Sequence, residues 1–233
     1  MKQFFIVLLT VFVTATYAQA QFTFGARMGL NCTTIQFGGN EETKMKPGLL
    51  IGAVADYSIN EILSIESGLF FAMRGYKVRP TVCWSGPDGG GCDKVIDIEN
   101  LNYIQIPVHV VCKIDNRLRF RVGPYFGFAV GGKNKSIWPR SGKNKSVFVH
   151  KLKFGNNDHS NYKIFDFGFN AGLAVQLHNI QIGLEVSNSL TSIKKRSVYL
   201  SDRAHNLAFT LTTTYMFGNN NTRNRMQKMP DYN

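Results

Sequence analysis

At 233 residues the chain suits one domain with a substantial core. Its mean hydropathy of −0.12 looks soluble, and no segment after the N-terminus reads as a transmembrane helix; that average does not exclude a barrel, whose apolar residues occupy alternate positions only. The net charge of +12, from 27 Lys plus Arg against 15 Asp plus Glu, points to nucleic acid, an anionic membrane surface or acidic sugars, and position along the chain decides between them.

Met1 to Ala20 carries Lys2, an apolar run from Phe4 to Val13 and Ala18-Gln19-Ala20, the small-x-small pattern before a secretory cleavage site. The run is too short to cross a bilayer as a helix, which needs about 20 residues. The expectation is a cleaved signal peptide over 1–20 and a new N-terminus at Gln21; with no Cys there, a lipid anchor is not expected.

Strict alternation then begins. Phe22 to Asn31 sets Phe22, Phe24, Ala26, Met28 and Leu30 against Thr23, Gly25, Arg27, Gly29 and Asn31, a first strand. A polar loop from Cys32 to Lys46 leads to a second strand, Gly48 to Tyr57, and the short Ser58-Ile59-Asn60-Glu61 to a third, ending near Tyr76. A long loop from Lys77 to about Asn100 precedes strand four, Leu101 to Ile114. Asp115-Asn116-Arg117 turns the chain into strand five, Leu118 to Val130, and the longest loop, Gly131 to Tyr162, into strand six. Strand six, Ile164 to Leu177, shows the contrast best: Phe165, Phe167, Phe169, Ala171, Leu173, Val175 and Leu177 alternate with Asp166, Gly168, Asn170, Gly172, Ala174 and Gln176. Small and polar residues on one face suit a narrow barrel interior, and the aromatic face then meets lipid. His178-Asn179 leads to strand seven, Ile180 to Ser187, and a basic loop to strand eight, Asn206 to Phe217.

Eight strands whose connections alternate long and short predict an all-β, eight-stranded antiparallel up-and-down transmembrane β-barrel over 21–217. Both ends then lie in the periplasm, Tyr215 and Phe217 join an aromatic girdle, and 218–233 is a polar, disordered periplasmic tail. Pro107 and Pro124 fall inside strands of a barrel with no edge, so each predicts a bulge. Export permits disulfides. Cys83 and Cys92 flank a flexible glycine-rich loop and are the favoured pair, with Cys32 and Cys112 expected to be free, although four cysteines leave the connectivity open.

Several motifs together carry a resemblance: Ile104-Gln105-Ile106-Pro107-Val108, Gly123-Pro124-Tyr125-Phe126-Gly127, Phe165-Asp166-Phe167-Gly168, Leu190-Thr191-Ser192-Ile193 and the closing Tyr215-Met216-Phe217. In order and spacing, over about Gln21 to Phe217, they resemble the PorT-like outer-membrane β-barrel proteins of Gram-negative bacteria. The resemblance implies the same fold and location, tolerance of prolines at these places and, through the name-giving member, an association with protein secretion. Ser187-Asn188 stands where many relatives carry an Arg-Tyr pair, and the chain runs on past the closing aromatic.

Arg27, Asp56, Glu66, Arg74, Arg119, Arg121, Asp166 and Glu185 all fall on the inward face. They could form an ion or proton path; the stronger expectation is a salt-bridge plug, because eight strands enclose just enough room for side chains and buried charges need partners. Gly127 to Lys133 fits GxxxxGK, but Asn134 replaces the Ser or Thr and no helix pattern follows, so no nucleotide site is expected. Asn157-Asp158-His159-Ser160 places catalytic residue types side by side on a polar loop, where they rarely converge on one atom. The five histidines lack metal-ligand spacing. No enzyme activity, cofactor or metal is expected.

The external loops carry the charge. Lys133, Lys135, Arg140, Lys143, Lys145, Lys151, Lys153 and Lys163 face only Asp158 in the third loop, and Lys194, Lys195 and Arg196 lie in the fourth. At the cell exterior nucleic acid is excluded as a partner; phosphorylated lipopolysaccharide sugars, outer-membrane lipid or an acidic envelope protein fit better. A solvated loop face is the plainer alternative. The functional expectation is a non-catalytic outer-membrane barrel whose basic loops bind envelope glycolipid or a protein partner. A subunit of a secretion machine and a lipocalin-like soluble carrier are the alternatives.

Overall fold

The computed structural model describes residues 22–37, 43–86, 89–115, 117–139, 145–155, 162–193 and 204–217. The strands are β1 Phe22–Phe37, β2 Lys44–Ser58, β3 Leu63–Val78, β4 Thr81–Gly86, β5 Gly89–Lys94, β6 Ile96–Lys113, β7 Leu118–Pro139, β8 Lys145–Lys151, β9 Phe165–Leu177, β10 Ile180–Ser189 and β11 Ala204–Met216. Eight of them form one antiparallel ring in the order β6-β3-β2-β1-β11-β10-β9-β7, and β7 pairs back onto β6 to close it. Closure leaves the ring without an edge strand.

Period-two alternation sets the two faces. Along β10, Gln181, Gly183, Glu185 and Ser187 are buried while Ile180, Ile182, Leu184 and Val186 are exposed. This inverts the rule for water-soluble folds, where the large apolar residues go inside. On the outer face Phe120, Leu173, Leu184, Leu211, Leu30 and Leu49 stand opposite one another in turn across β7, β9, β10, β11, β1 and β2, a continuous apolar row. The interior is largely polar but holds two apolar clusters: Leu50, Val54, Phe70, Ala72 and Met216 in the lumen, and a lid at the end of the long connections, where Ile35, Tyr76, Leu101, Tyr103, Tyr162, Ile193 and Ala204 pack together. The Tyr76 and Tyr162 hydroxyls are 3.0 Å apart in that lid.

The other end has tight turns. Asn60 Oδ1 accepts the Ile62 and Leu63 amides at 2.9 and 2.6 Å and folds the β2–β3 connection on itself. Between β9 and β10, His178 takes φ 53°, a left-handed conformation that closes a two-residue turn.

Neither strand proline produces a bulge, contrary to the sequence expectation. Pro107 pairs with Tyr125 and Pro124 with Phe169, and the register is the same on both sides of each. The missing N–H interrupts one neighbouring ladder instead: β3–β6 pairing skips from Ser67/Val108 to Phe70/Gln105, and β6–β7 pairing from Pro107/Tyr125 to Val110/Val122. The Ser67 hydroxyl donates to the Pro107 carbonyl at 2.8 Å within the first gap. The register shifts lie elsewhere, between Met45 and Leu50 in β2, around Pro47-Gly48, and at Val130 in β7, where Tyr103 faces Ala129 but Asn102 faces Gly131.

The connections are more regular than the sequence implies. Strand five does not end at Val130: β7 continues to Pro139, paired with the Ile96–Asn100 stretch of β6 on one side and with β8 on the other. The region assigned to the longest loop is therefore largely a β-hairpin standing on the barrel. The Lys77–Asn100 connection likewise holds the β4–β5 hairpin and the start of β6, and the first polar loop shrinks because β1 reaches Phe37 and β2 starts at Lys44. Cys83 stands opposite Cys92 in the β4–β5 pair and is disulfide-bonded to it, Cα to Cα 4.0 Å. Cys32 and Cys112 are free thiols. The 1–20 and 218–233 segments lie outside the described residues.

Candidate functional site

Two charged regions compete for a role. The first is the lumen, where Arg27, Asp56, Glu66, Arg74, Arg119, Arg121, Asp166 and Glu185 are all buried. Arg27 Nη2 meets Glu66 Oε2 at 2.8 Å, Arg121 Nη1 lies 3.4 Å from Glu66 Oε1, and His109 Nδ1 lies 3.5 Å from the same oxygen. Arg119 Nη2 reaches Asp56 Oδ2 at 2.6 Å. Arg74 lies 3.3 Å from Asp166 Oδ2 and donates to Gln105 Oε1 at 2.8 Å. Each arginine thus spends its charge on a neighbouring carboxylate, an arrangement that braces strands across the ring.

The second region is the outer face of the sheet that rises above the ring. Lys133 and Lys151 stand directly opposite each other on β7 and β8, and Asn100 of β6 stands opposite Lys133. One step further out, Lys77 and Lys135 both face Ile98, and Lys77 also faces Lys44 of β2. Like charges placed directly across strands cost about 0.2–1 kcal/mol each, which a bound anion would reverse. Lys46, beyond the apolar part of β2, is buried; that burial lowers the pKa of its ammonium below the ordinary value, and Lys77 lowers it further. Lys145 is in β8 opposite Pro139, and Lys153 follows β8, exposed. Lys163 sits beside the barrel rim, its amide donating to the Ile193 carbonyl at 2.8 Å. Arg140, Lys143, Lys194, Lys195 and Arg196 lie outside the described residues, as do Asn157, Asp158, His159 and Ser160.

Lys44, Lys77, Asn100 and Asn102 are site residues that the sequence reading missed. The Lys-x-Lys alternation at 133–135 was the available sign of a strand; which lysines face one another depends on register, which no local pattern carries.

Residues 17–195 match the family described as outer membrane protein β-barrel domain. The chain belongs to that family. This outer-membrane barrel resembles several solved structures in fold alone. Ail of Yersinia pestis, solved with the heparin analogue sucrose octasulfate, is 13% identical over 84% of this chain and 99% of its own, TM-score 0.44. Neisserial surface protein A is 9% identical over 83% of this chain and 97% of its own, TM-score 0.45. OprG of Pseudomonas aeruginosa is 10% identical over 85% and 96%, TM-score 0.29. No curated protein matches the sequence.

A place in the bacterial outer membrane accounts for the inverted faces, because the apolar row meets acyl chains. A direct check uses Leu184, 66% exposed and flanked across the sheet by Leu173 and Leu211. Leu184→Arg should cost about 2–4 kcal/mol in a bilayer, read as a lower urea midpoint for the barrel folded in vesicles. In a water-exposed position the same change would be nearly silent, so an unchanged midpoint would contradict lipid contact there. The GxxxxGK stretch of this outer-membrane barrel lies wholly within β7, extended and paired with β6 along its length except at the bulged Val130. A phosphate-cradling loop wraps its amides around the ligand instead.

Proposed function

We propose that this barrel is a non-catalytic outer-membrane protein whose basic external sheet binds the acidic headgroups of envelope glycolipid. The observation that carries this reading is the set of lysines Lys44, Lys77, Lys133 and Lys135, placed just beyond the apolar stretches of β2, β3 and β7, with Lys151 of β8 directly opposite Lys133. That is where lipid phosphates lie relative to an acyl belt, and juxtamembrane cations are attracted there by about 1 kcal/mol each. The test is retention of lipopolysaccharide by the purified barrel in mild detergent. Changing all five lysines to glutamine should remove most of the bound glycolipid, and raised salt should do the same to the parent protein. Equal retention by the five-lysine variant would refute the reading.

Within the family we read the chain as PorT-like, on the motifs from Ile104 to Phe217, and we take Met1 to Ala20 to be a cleaved signal peptide. The PorT-like resemblance supports a second role, as a subunit of an envelope secretion machine. A stoichiometric protein partner in an affinity isolation from outer membranes would favour that role over the glycolipid reading.

A further inference from the structure

We propose that the cleft between β6, β7 and β8 is a binding site for one phosphorylated sugar. This rests on the glycolipid-binding reading and assigns it to particular residues. The cleft has a volume of about 470 Å³ and is lined by Met73, Asn100, Asn102, Gly131, Lys133 and Lys151, among others. Its size falls in the range of about 300–1,000 Å³ typical of small-molecule sites.

The backbone makes the cleft. The extra residue at Val130 shifts β7 by one position, so Gly131 rather than a side chain faces Asn102. A Cβ at Gly131 would meet nothing within 4 Å, so glycine there leaves open space rather than relieving a close approach. Gly132 is different: a Cβ there would lie 2.6 Å from the Asn100 carbonyl oxygen, so only glycine fits where the β6 and β7 backbones approach at the base.

The chemistry of the walls selects the ligand. Lys133 and Lys151, directly opposite each other, present two ammonium groups to one space, and among the described residues no carboxylate lines it. Two adjacent cations without a counter-charge call for a multiply charged anion, and phosphate oxygens suit ammonium donors. Asn100 and Asn102, on one face of β6, add amides that recognise hydroxyls; Asn100 Nδ2 donates to the Lys133 carbonyl at 3.4 Å, and the buried Asn102 Oδ1 has no hydrogen-bond partner. An unpaired buried carbonyl is a ready acceptor for a sugar hydroxyl. Among the described residues no aromatic side chain, on which a nucleic-acid base would stack, lines it. Met73 forms the part nearest the apolar belt, where a sugar joined to acyl chains would pass from headgroup to lipid.

A glycolipid headgroup and a soluble sugar phosphate share this chemistry, and two probes separate them. The full-length barrel, folded in detergent, is titrated with lipid A carrying its phosphates, with dephosphorylated lipid A, and with glucosamine 6-phosphate, bound lipid being counted by native mass spectrometry. One phosphorylated lipid A per barrel and weak binding of the dephosphorylated form are expected; binding of glucosamine 6-phosphate without lipid A would assign the site to a soluble sugar. Lys133→Gln with Lys151→Gln, and separately Gly131→Phe, should each weaken binding by about tenfold or more. Gly131→Phe keeps every charge and only fills the cleft, and its fold is checked by heat-modifiable gel mobility. If folded Gly131→Phe binds phosphorylated lipid A as tightly as the parent, the cleft assignment is overturned. In that case a loss confined to the five-lysine variant leaves the wider glycolipid reading standing, and no loss in either removes both.

Discussion

Glu66→Ala should be among the most damaging single changes in the barrel, lowering its stability by about 3–5 kcal/mol, the usual cost of stranding buried charges. Glu66 is 1% exposed on β3 and takes Arg27 from β1 at 2.8 Å, Arg121 from β7 at 3.4 Å and His109 from β6 at 3.5 Å. Its removal leaves two guanidinium groups facing each other in the lumen, with no carboxylate between them. Against a total stability of about 5–15 kcal/mol for an ordinary domain, that loss is a large share. The urea midpoint for loss of heat-modifiable mobility reads it directly. Arg121→Gln should cost less, because Glu66 keeps its shorter contact with Arg27. A Glu66→Ala midpoint equal to the parent's would mean that water reaches these charges, and the lumen should then be tested for ion conductance.

The two faces of the ring strands were legible because the apolar and polar sets differ so sharply, as in β10. The same alternation located the buried charges on one side of each strand. Their partners were not legible: Arg27 and Glu66 meet although 39 residues apart, through the joint register of β1, β2 and β3. Pro107 and Pro124 misled for a related reason. A missing donor can be absorbed by one interrupted ladder, and only the pairing on both sides shows whether the register moves. The extension of β7 was silent because Lys133, Asn134, Lys135 and Ser136 are polar on both faces, so the contrast that marks a lipid-facing strand vanishes above the belt. The cleft was out of reach altogether. Gly131 gains meaning only from the bulge at Val130 and from Lys151, which arrives on a separate strand.

Asp166→Ala should approach the cost of Glu66→Ala through a different arrangement. Asp166 is wholly buried on β9 and accepts hydrogen bonds from Arg74 of β3 at 3.3 Å, Tyr125 of β7 at 3.2 Å, Asn206 of β11 at 3.0 Å, Ser189 of β10, and Thr191, just past β10, at 3.3 Å. One carboxylate therefore ties side chains from four other strands beneath the apolar lid. Truncation strands Arg74, whose remaining partners are Gln105 and Tyr125. Asp166→Asn keeps the shape and one acceptor oxygen but loses the charge, and should cost about 1–3 kcal/mol. Combining Asp166→Asn with Arg74→Gln should give less than the sum of the single losses, with a coupling of about 0.5–3 kcal/mol; strict additivity would mean that the two do not interact. The Asp166 bonds point into the lumen, whereas Asn100, Asn102, Lys133 and Lys151 lie on the outer face. Asp166→Asn should therefore weaken the barrel and leave phosphorylated lipid A binding intact while it stays folded. Gly131→Phe should do the reverse, and the pair separates the bracing of the interior from recognition at the rim.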